Sequence, residues 1–138
     1  MNILLDTSFL MHAAAAKIDI MTELRKFGEP RLYTLNLVVD ELGGFSPGRT
    51  RKAMSARIAL KFIEEEAVRV IKAGGKNTDR NIVRYAGNRK LTVCTTDREL
   101  KKTLRRRGVS VITIRQGSYL VKDIGSRVRK EKYLFALL

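Results

Sequence analysis

Short apolar segments alternate along the chain with longer segments whose apolar residues have helical spacing. In one of the longer segments, residues at i, i+4, i+7 and i+11 form one face of a helix: Ala56, Leu60, Ile63 and Ala67. The apolar segments, which we predict to be strands, are residues 3–5, 32–35, 68–71, 91–94 and 109–114. The predicted order of elements is βααβααβαβαβ. Because strands that alternate with helices form parallel sheets covered on both faces, we expect an α/β fold with three layers, α/β/α.

Polar residues and glycines mark the ends of several predicted helices. Asn36 is predicted to cap a short helix that ends at the glycines 43–44. Thr96 and Glu99 have the spacing of a capping box, in which each side chain accepts a hydrogen bond from the other residue's backbone N–H. The last helix is therefore expected to begin next to Thr96.

The composition indicates one folded domain with a large excess of positive charge. The chain has 138 residues, of which 28 are Lys or Arg and 14 are Asp or Glu, so its formal charge is +14. This length fits a single domain spanning residues 1–138, and a hydrophobic content of 44% excludes wholesale disorder. The excess charge favours a polyanionic partner, and we expect nucleic acid rather than an anionic membrane surface.

The cysteine content and the start of the chain bear on the cellular compartment. A single cysteine, Cys94, excludes an internal disulfide and a zinc site built from cysteines. The first residues lack the basic region and the apolar stretch of a signal peptide. No segment approaches the ~20 apolar residues of a membrane span. We therefore expect a cytoplasmic protein without a membrane partner.

Four acidic residues follow the predicted strands at comparable places: Asp6 after the first, Glu41 after the second, Asp79 after the third and Asp97 after the fourth. Ligands of open parallel sheets bind at the carboxyl ends of the strands, where we expect these carboxylates. Alternatively, each is an ordinary cap or first-turn acid of a helix. Carboxylates ~4 Å apart repel by roughly 4 kcal/mol at an effective dielectric constant of ~20. A converged cluster therefore requires a hard cation such as Mg²⁺ or Mn²⁺, or raised pKa values.

The segments around these acids resemble the successive motifs of the PIN domain family. They are residues 4–10 (LLDTSFL), 38–42 (VVDEL), 78–82 (TDRNI) and 95–100 (TTDREL). Their order and spacing match the family over about residues 1–115. The resemblance implies a five-stranded parallel sheet in the order 3-2-1-4-5, a Mg²⁺- or Mn²⁺-dependent endoribonuclease, and a homodimer. The basic character makes the chain more similar to archaeal relatives of the PIN nucleases that process ribosomal RNA than to a typical toxin.

The resemblance also implies which residues form the site. The acids that match the family's acidic positions, expected to hold the metal and to be catalytic, are Asp6, Glu41, Asp79 and Asp97. Thr95 or Thr96 is expected to supply a hydroxyl near the metal, and Thr7 or Ser8 another. Asp40, which neighbours Glu41, is expected to be solvated. One or two metal ions in such a site would activate a water molecule for hydrolysis of a phosphodiester, leaving a 3′-hydroxyl.

Basic residues are concentrated in three groups, within residues 49–57, 101–107 and 127–132. Because so many cations cannot all be paired with acids, we expect salt-sensitive binding to the phosphates of RNA. Phe45 is predicted to lie in a flexible loop beside Glu41, where it either stacks on an unpaired base or covers the core. The residues predicted to contact RNA are Phe45, Arg49, Arg51, Lys52, Lys101 and Arg105.

Three functions agree with these features. The first is a Mg²⁺- or Mn²⁺-dependent endoribonuclease that acts on single-stranded or structured RNA, such as a ribosomal precursor. The second is the toxin ribonuclease of a toxin–antitoxin pair, which has the same chemistry and an antitoxin as partner. The third is a non-catalytic RNA-binding assembly factor whose acids form a structural metal site.

Residues 116–138 are predicted to be a C-terminal extension that packs on the domain or on a partner chain, because they end in an apolar segment.

Overall fold

The computed structural model describes residues 1–124, within which it has six strands and six helices. The strands are β1 (Asn2–Leu5), β2 (Arg31–Leu35), β3 (Arg69–Ile71), β4 (Thr92–Cys94), β5 (Val111–Arg115) and β6 (Tyr119–Asp123). The helices are α1 (Thr7–Ala15), α2 (Ile20–Leu24), α3 (Asn36–Phe45), α4 (Arg51–Glu65), α5 (Thr78–Arg89) and α6 (Arg98–Arg106). None of these helices is long and apolar enough to cross a membrane.

The six strands form one sheet in the order β3-β2-β1-β4-β5-β6. The first five are parallel and follow the predicted order 3-2-1-4-5, so this part of the expectation is confirmed. Helices α1, α3 and α4 pack against one another, and α5 packs against α6. The expectation of five strands is wrong, because β6 pairs antiparallel with β5.

A two-residue turn produces the sixth strand. Gln116 and Gly117 have φ angles of 52° and 60°, and the Ser118 N–H donates to the Arg115 carbonyl over 3.2 Å. Positive φ at both central residues is typical of a type I′ hairpin turn, whose twist matches that of the strands it joins. The predicted C-terminal extension therefore begins as part of the sheet. Its remaining residues, 125–138, lie outside the described part of the chain.

Strand β1 lies at the centre of the sheet, and its carboxyl end positions the candidate site. Its residues Ile3, Leu4 and Leu5 are fully buried, as is typical of a parallel strand covered on both faces. Leu5 lies opposite Thr34 of β2 and opposite Cys94 of β4. The chain therefore leaves these three strands at the same edge of the sheet.

The start of helix α3 differs from its predicted form. Leu35, not Asn36, is the N-cap, and no side chain caps the helix. The Asn36 side chain instead bonds to the loop after β3, because its Oδ1 accepts from the Ala73 N–H at 2.8 Å. The helix also continues past the two glycines to Phe45, which was expected in a flexible loop.

The predicted capping box of helix α6 is also wrong. The helix begins one residue later than expected, with Asp97 as its N-cap. The Asp97 carboxylate accepts from the Leu100 N–H at 2.9 Å. Glu99 is exposed, and its nearest charged partner is Lys102, at 3.8 Å. The acid that follows β4 thus has a defined structural position at the start of α6.

Candidate active site

Asp6 continues strand β1 and caps helix α1. Its N–H donates to the Cys94 carbonyl at 3.0 Å, which extends the contact between β1 and β4 by one position. Its Oδ1 accepts from the Thr7 N–H at 2.8 Å. Asp6 is only 4% exposed. A strand and a helix together therefore hold this carboxylate in a buried position.

Two hydroxyl groups bind the other oxygen of the Asp6 carboxylate. Asp6 Oδ2 accepts from Thr95 at 2.7 Å and from Ser8 at 3.0 Å. The Ser8 oxygen in turn accepts from the Thr96 N–H at 3.2 Å, and the Thr95 oxygen accepts from the Asp97 N–H at 3.1 Å. Of the predicted hydroxyls, those of Ser8 and Thr95 thus contact the carboxylate, and Thr96 contributes its backbone.

Glu41 and Asp79 come from helices α3 and α5. Glu41 is half-buried on α3, and its carboxylate accepts a hydrogen bond from the Thr78 hydroxyl. Asp79 is in the first turn of α5, directly after Thr78. Sequence reasoning did not identify Thr78 as a site residue, because its contact with Glu41 depends on how α3 and α5 are placed.

One pocket of about 270 Å³ is lined by all four predicted acids, and we call it the acid pocket. Its lining residues are Asp6, Thr7, Ser8, Met11, Glu41, Phe45, Lys52, Thr78, Asp79 and Asp97. The acids come from four separate segments that follow β1, β2, β3 and β4. The sheet topology therefore brings together side chains that are distant in sequence.

Burial and hydrogen bonding act in opposite directions on Asp6. Burial is the largest influence, and it raises the pKa of the Asp6 carboxyl above its usual value. Hydrogen bonds from Thr95, Ser8 and the Thr7 N–H oppose this shift, while repulsion by Asp79 adds to it. The net result is a raised pKa, so the ionised form of Asp6 carries a free-energy cost in the folded protein.

The pKa of Asp79 is also raised. Loss of hydration by partial burial is the largest cause, followed by repulsion from Asp97 and then from Glu41. These carboxylates therefore act on one another across the acid pocket, as expected of like charges that share a site. A bound cation would relieve this repulsion.

The donor atoms of the acid pocket fit a hard divalent cation. Carboxylate and hydroxyl oxygens are the ligands that Mg²⁺ and Mn²⁺ prefer. The Thr7 hydroxyl is buried at the pocket, and within residues 1–124 it is the one buried side-chain polar atom without a hydrogen-bond partner. In the same part of the chain, no three His, Cys, Asp or Glu side chains form a group that could hold a metal ion as placed. The pocket thus has suitable donors and charge, while its carboxylates lie apart.

Two of the residues predicted to contact RNA line the acid pocket, Phe45 and Lys52. The Lys52 ammonium lies 3.9 Å from the centre of the Phe45 ring, a cation–π contact. Phe45 also packs against the hydrophobic core. Phe45 therefore covers the core, which was one of its two predicted roles. Its ring also holds Lys52 at the acid pocket.

The other four residues predicted to contact RNA lie outside the acid pocket. Arg49 and Arg51 are exposed near the start of α4. Lys101 is half-buried on α6, and Arg105 on the same helix forms an ion pair with Asp123 of β6 at 2.5 Å. Arg105 thus links α6 to the sixth strand.

Among the solved structures that share this fold are two that cover most of this chain. The structure of the PIN domain endonuclease Utp24 has a TM-score of 0.75 and 21% sequence identity, covering 90% of this chain and 93% of that chain. A domain of a functionally unknown protein from Methanocaldococcus jannaschii has a TM-score of 0.57 and 17% identity, covering 83% of this chain and 91% of that chain. At these identities the likeness concerns the fold.

Sequence similarity extends to the family level. Ribonuclease VapC9 of Archaeoglobus fulgidus is 31% identical over 107 residues, which are 77% of this chain and 77% of that protein. Residues 3–117 match the family described as PIN like domain. This match contains all four acids of the acid pocket. The chain therefore belongs to the PIN-like domain family, as its four motifs predicted.

Proposed function

We propose that this protein is an endoribonuclease that requires Mg²⁺ or Mn²⁺ and acts at the acid pocket. The observation that carries the proposal is the convergence of four carboxylates, from four segments of the chain, on one pocket at the carboxyl ends of the strands. Two similarities support it. The relative with 31% identity is named a ribonuclease, and the structure with a TM-score of 0.75 is that of a PIN domain endonuclease.

In this proposal, the metal ligands are Asp6, Glu41, Asp79 and Asp97. When bound, the cation would lower the pKa of a water molecule and stabilise negative charge on the phosphate. The reaction is hydrolysis, in which the water oxygen bonds to phosphorus and the bond from phosphorus to the 3′-oxygen breaks. The products carry a 5′-phosphate and a 3′-hydroxyl.

Three hydroxyl groups at or beside the acid pocket have positioning roles. The hydroxyls of Thr95 and Ser8 fix the orientation of the Asp6 carboxylate, and the Thr78 hydroxyl fixes that of Glu41. Lys52 is exposed beside the carboxylates and provides positive charge for a phosphate oxygen. The protein thus combines a negative pocket for a cation with a positive group for the RNA.

Two biological roles are compatible with this chemistry: processing of a ribosomal precursor RNA, and the toxin activity of a toxin–antitoxin pair. We propose the processing role, since a charge of +14 suits a protein that binds large structured RNA. Expression in a host cell distinguishes the two. Growth arrest that depends on Asp6 and Asp97 would favour the toxin, and normal growth would favour processing.

The direct test is cleavage of labelled single-stranded RNA in the presence of Mn²⁺ or Mg²⁺. Wild type is expected to cleave, EDTA to abolish cleavage, and Asp6→Asn and Asp97→Asn each to reduce the rate about 100-fold or more, since a metal stabilises the transition state by several kcal/mol. Asp40→Asn is the matched control, because Asp40 is an exposed neighbour of Glu41 that does not line the acid pocket.

Two outcomes of this assay would contradict the proposal. Equal cleavage by wild type and all three variants would indicate a contaminating nuclease. Absence of cleavage with every RNA, together with retained RNA binding, would favour the non-catalytic assembly factor.

A further inference from the structure

A second cavity, of about 550 Å³, lies between helices α5 and α6, and we call it the α5–α6 groove. Asp79 lines both this groove and the acid pocket, so the two are adjacent. Asp79 and Asp97 mark the starts of α5 and α6, and both line the acid pocket. The two helices therefore begin at the pocket, and the groove extends away from it along them.

Three arginines line the α5–α6 groove: Arg80 and Arg84 from α5, and Arg107 just after α6. All three are exposed, and within residues 1–124 none forms an ion pair with a carboxylate. Two acids also line the groove, Asp79 at the start of α5 and Glu99 on α6, and Glu99 lies near Lys102. The three arginines therefore outnumber the two acids, and the lining of the groove keeps a net positive charge.

The arginines on α5 have a regular spacing along the groove. Arg80 and Arg84 are four residues apart, which places them on one face of the helix and about 6 Å apart along its axis. From Asp79 to Asn88, which also lines the groove, the helix rises about 14 Å. This length suits a few nucleotides of a strand whose stacked bases rise about 3.4 Å each.

Gly87 leaves open space in the wall of the groove. It lies in the last part of α5 and lines the groove one turn beyond Arg84. Glycine lowers the stability of a helix relative to alanine, and here no close packing requires it, since a Cβ at position 87 would have no atom within 4 Å. A larger side chain at position 87 would therefore extend into the open space of the groove.

We propose that the α5–α6 groove binds the phosphodiester backbone of the single RNA strand on one side of the cleaved phosphate. Arg80, Arg84 and Arg107 contact the phosphates, and Gly87 leaves room for the strand. This inference rests on the proposed function, because it takes the acid pocket as the place of cleavage. Arg107 belongs to the basic group within residues 101–107 that was expected to bind RNA phosphates, and none of the four was among the six residues predicted individually to contact RNA.

Fluorescence anisotropy with a short labelled single-stranded RNA tests the groove. The measurement is made in EDTA, so it does not depend on cleavage. Arg84→Gln and Arg107→Gln are each expected to raise Kd several-fold and to lower the slope of log K against log salt concentration by about 0.7, the value for one phosphate contact on a single strand. Arg69→Gln is the matched control, because Arg69 is exposed at the amino end of β3 and its loss changes the net charge equally.

Substitutions of Gly87 test the shape of the groove separately from its charge. Gly87→Ala adds a methyl group in open space and is expected to change Kd less than twofold. Gly87→Leu fills the groove without adding charge and is expected to raise Kd several-fold. Thermal unfolding of each variant verifies that it is folded.

The outcomes separate this inference from the proposed function. If Arg84→Gln and Arg107→Gln weaken RNA binding no more than Arg69→Gln does, the groove is not the binding site, whether or not wild type cleaves RNA. If the groove variants weaken binding but no metal supports cleavage, the nuclease proposal fails and the assignment of the groove stands.

Discussion

The Thr95 hydroxyl donates a 2.7 Å hydrogen bond to the buried Asp6 carboxylate, although 89 positions separate the two residues. The contact exists because β1 and β4 are adjacent parallel strands that end at the same edge of the sheet. The Thr95 oxygen also accepts from the Asp97 N–H at 3.1 Å. A single side chain thus links two of the acids proposed to hold the metal.

Thr95→Val is expected to lower the free energy of unfolding by about 1–3 kcal/mol, because it removes a donor from a buried charged acceptor. It is also expected to slow RNA cleavage, since the Asp6 carboxylate loses the group that orients it. Urea unfolding in EDTA and the cleavage assay measure the two effects. Thr113→Val on β5 is the control, because the Thr113 side chain is half-buried outside the acid pocket. Equal effects of both substitutions would contradict the role of Thr95.

Asp79→Asn is expected to gain stability relative to wild type as the pH rises, in the absence of metal. The folded-state pKa of Asp79 is raised above its unfolded value, so wild type carries a free-energy cost once this carboxyl ionises. Below the unfolded pKa, the carboxyl is neutral in both states and this cost is absent. Urea unfolding in EDTA, at several values between about pH 3 and about pH 7, measures the change.

Asp19→Asn provides a control, because its stability relative to wild type is expected to change in the opposite direction as the pH rises. Hydrogen bonds from the Thr22 hydroxyl and the Thr22 N–H lower the pKa of Asp19. Asp19 therefore contributes stability that is present above its unfolded pKa and is lost as the pH falls through the lowered value. Over the same rise in pH, Asp19→Asn is expected to lose stability relative to wild type. A change in the same direction for both variants would contradict the repulsion inferred at Asp79.

Cys94 is expected to be unreactive towards thiol reagents in the folded protein. It is fully buried in β4, and burial raises the pKa of its thiol, so the reactive thiolate is scarce. Reaction with a chromogenic disulfide is expected only after unfolding in guanidinium chloride. Rapid, stoichiometric reaction of the folded protein would show that β4, and with it Thr95 and Asp97, is not packed as described.

Much of the fold could be predicted because parallel strands have simple sequence patterns. Fully apolar segments such as residues 3–5 are typical of strands buried on both faces, and their alternation with helices determines the fold class. Strand β6 was missed because it is short, has only one buried residue, Leu120, and follows a two-residue turn. The signal for it was Gly117, which permits the positive φ of a hairpin turn.

The acids of the candidate site could be predicted because they follow strand ends, whose position in the sheet depends on topology alone. The contact between Thr78 and Glu41 could not be predicted from sequence, since it depends on side-chain rotamers and on the placement of α3 beside α5. Thr96 was expected to cap α6, but Asp97 takes that position because the helix starts one residue later. Local patterns located these elements to within one or two residues, which is too coarse to assign individual hydrogen bonds.

The convergence of the carboxylates on one cation is tested most directly by anomalous scattering from a crystal soaked in Mn²⁺. We predict a manganese peak in the acid pocket, with carboxylate oxygens of Asp6 and Asp97 about 2.0–2.3 Å from it. Crystals of Asp97→Asn treated in the same way are expected to show a weaker peak or none. Manganese bound elsewhere, or an acid pocket without a peak in wild-type crystals, would contradict the proposed metal site.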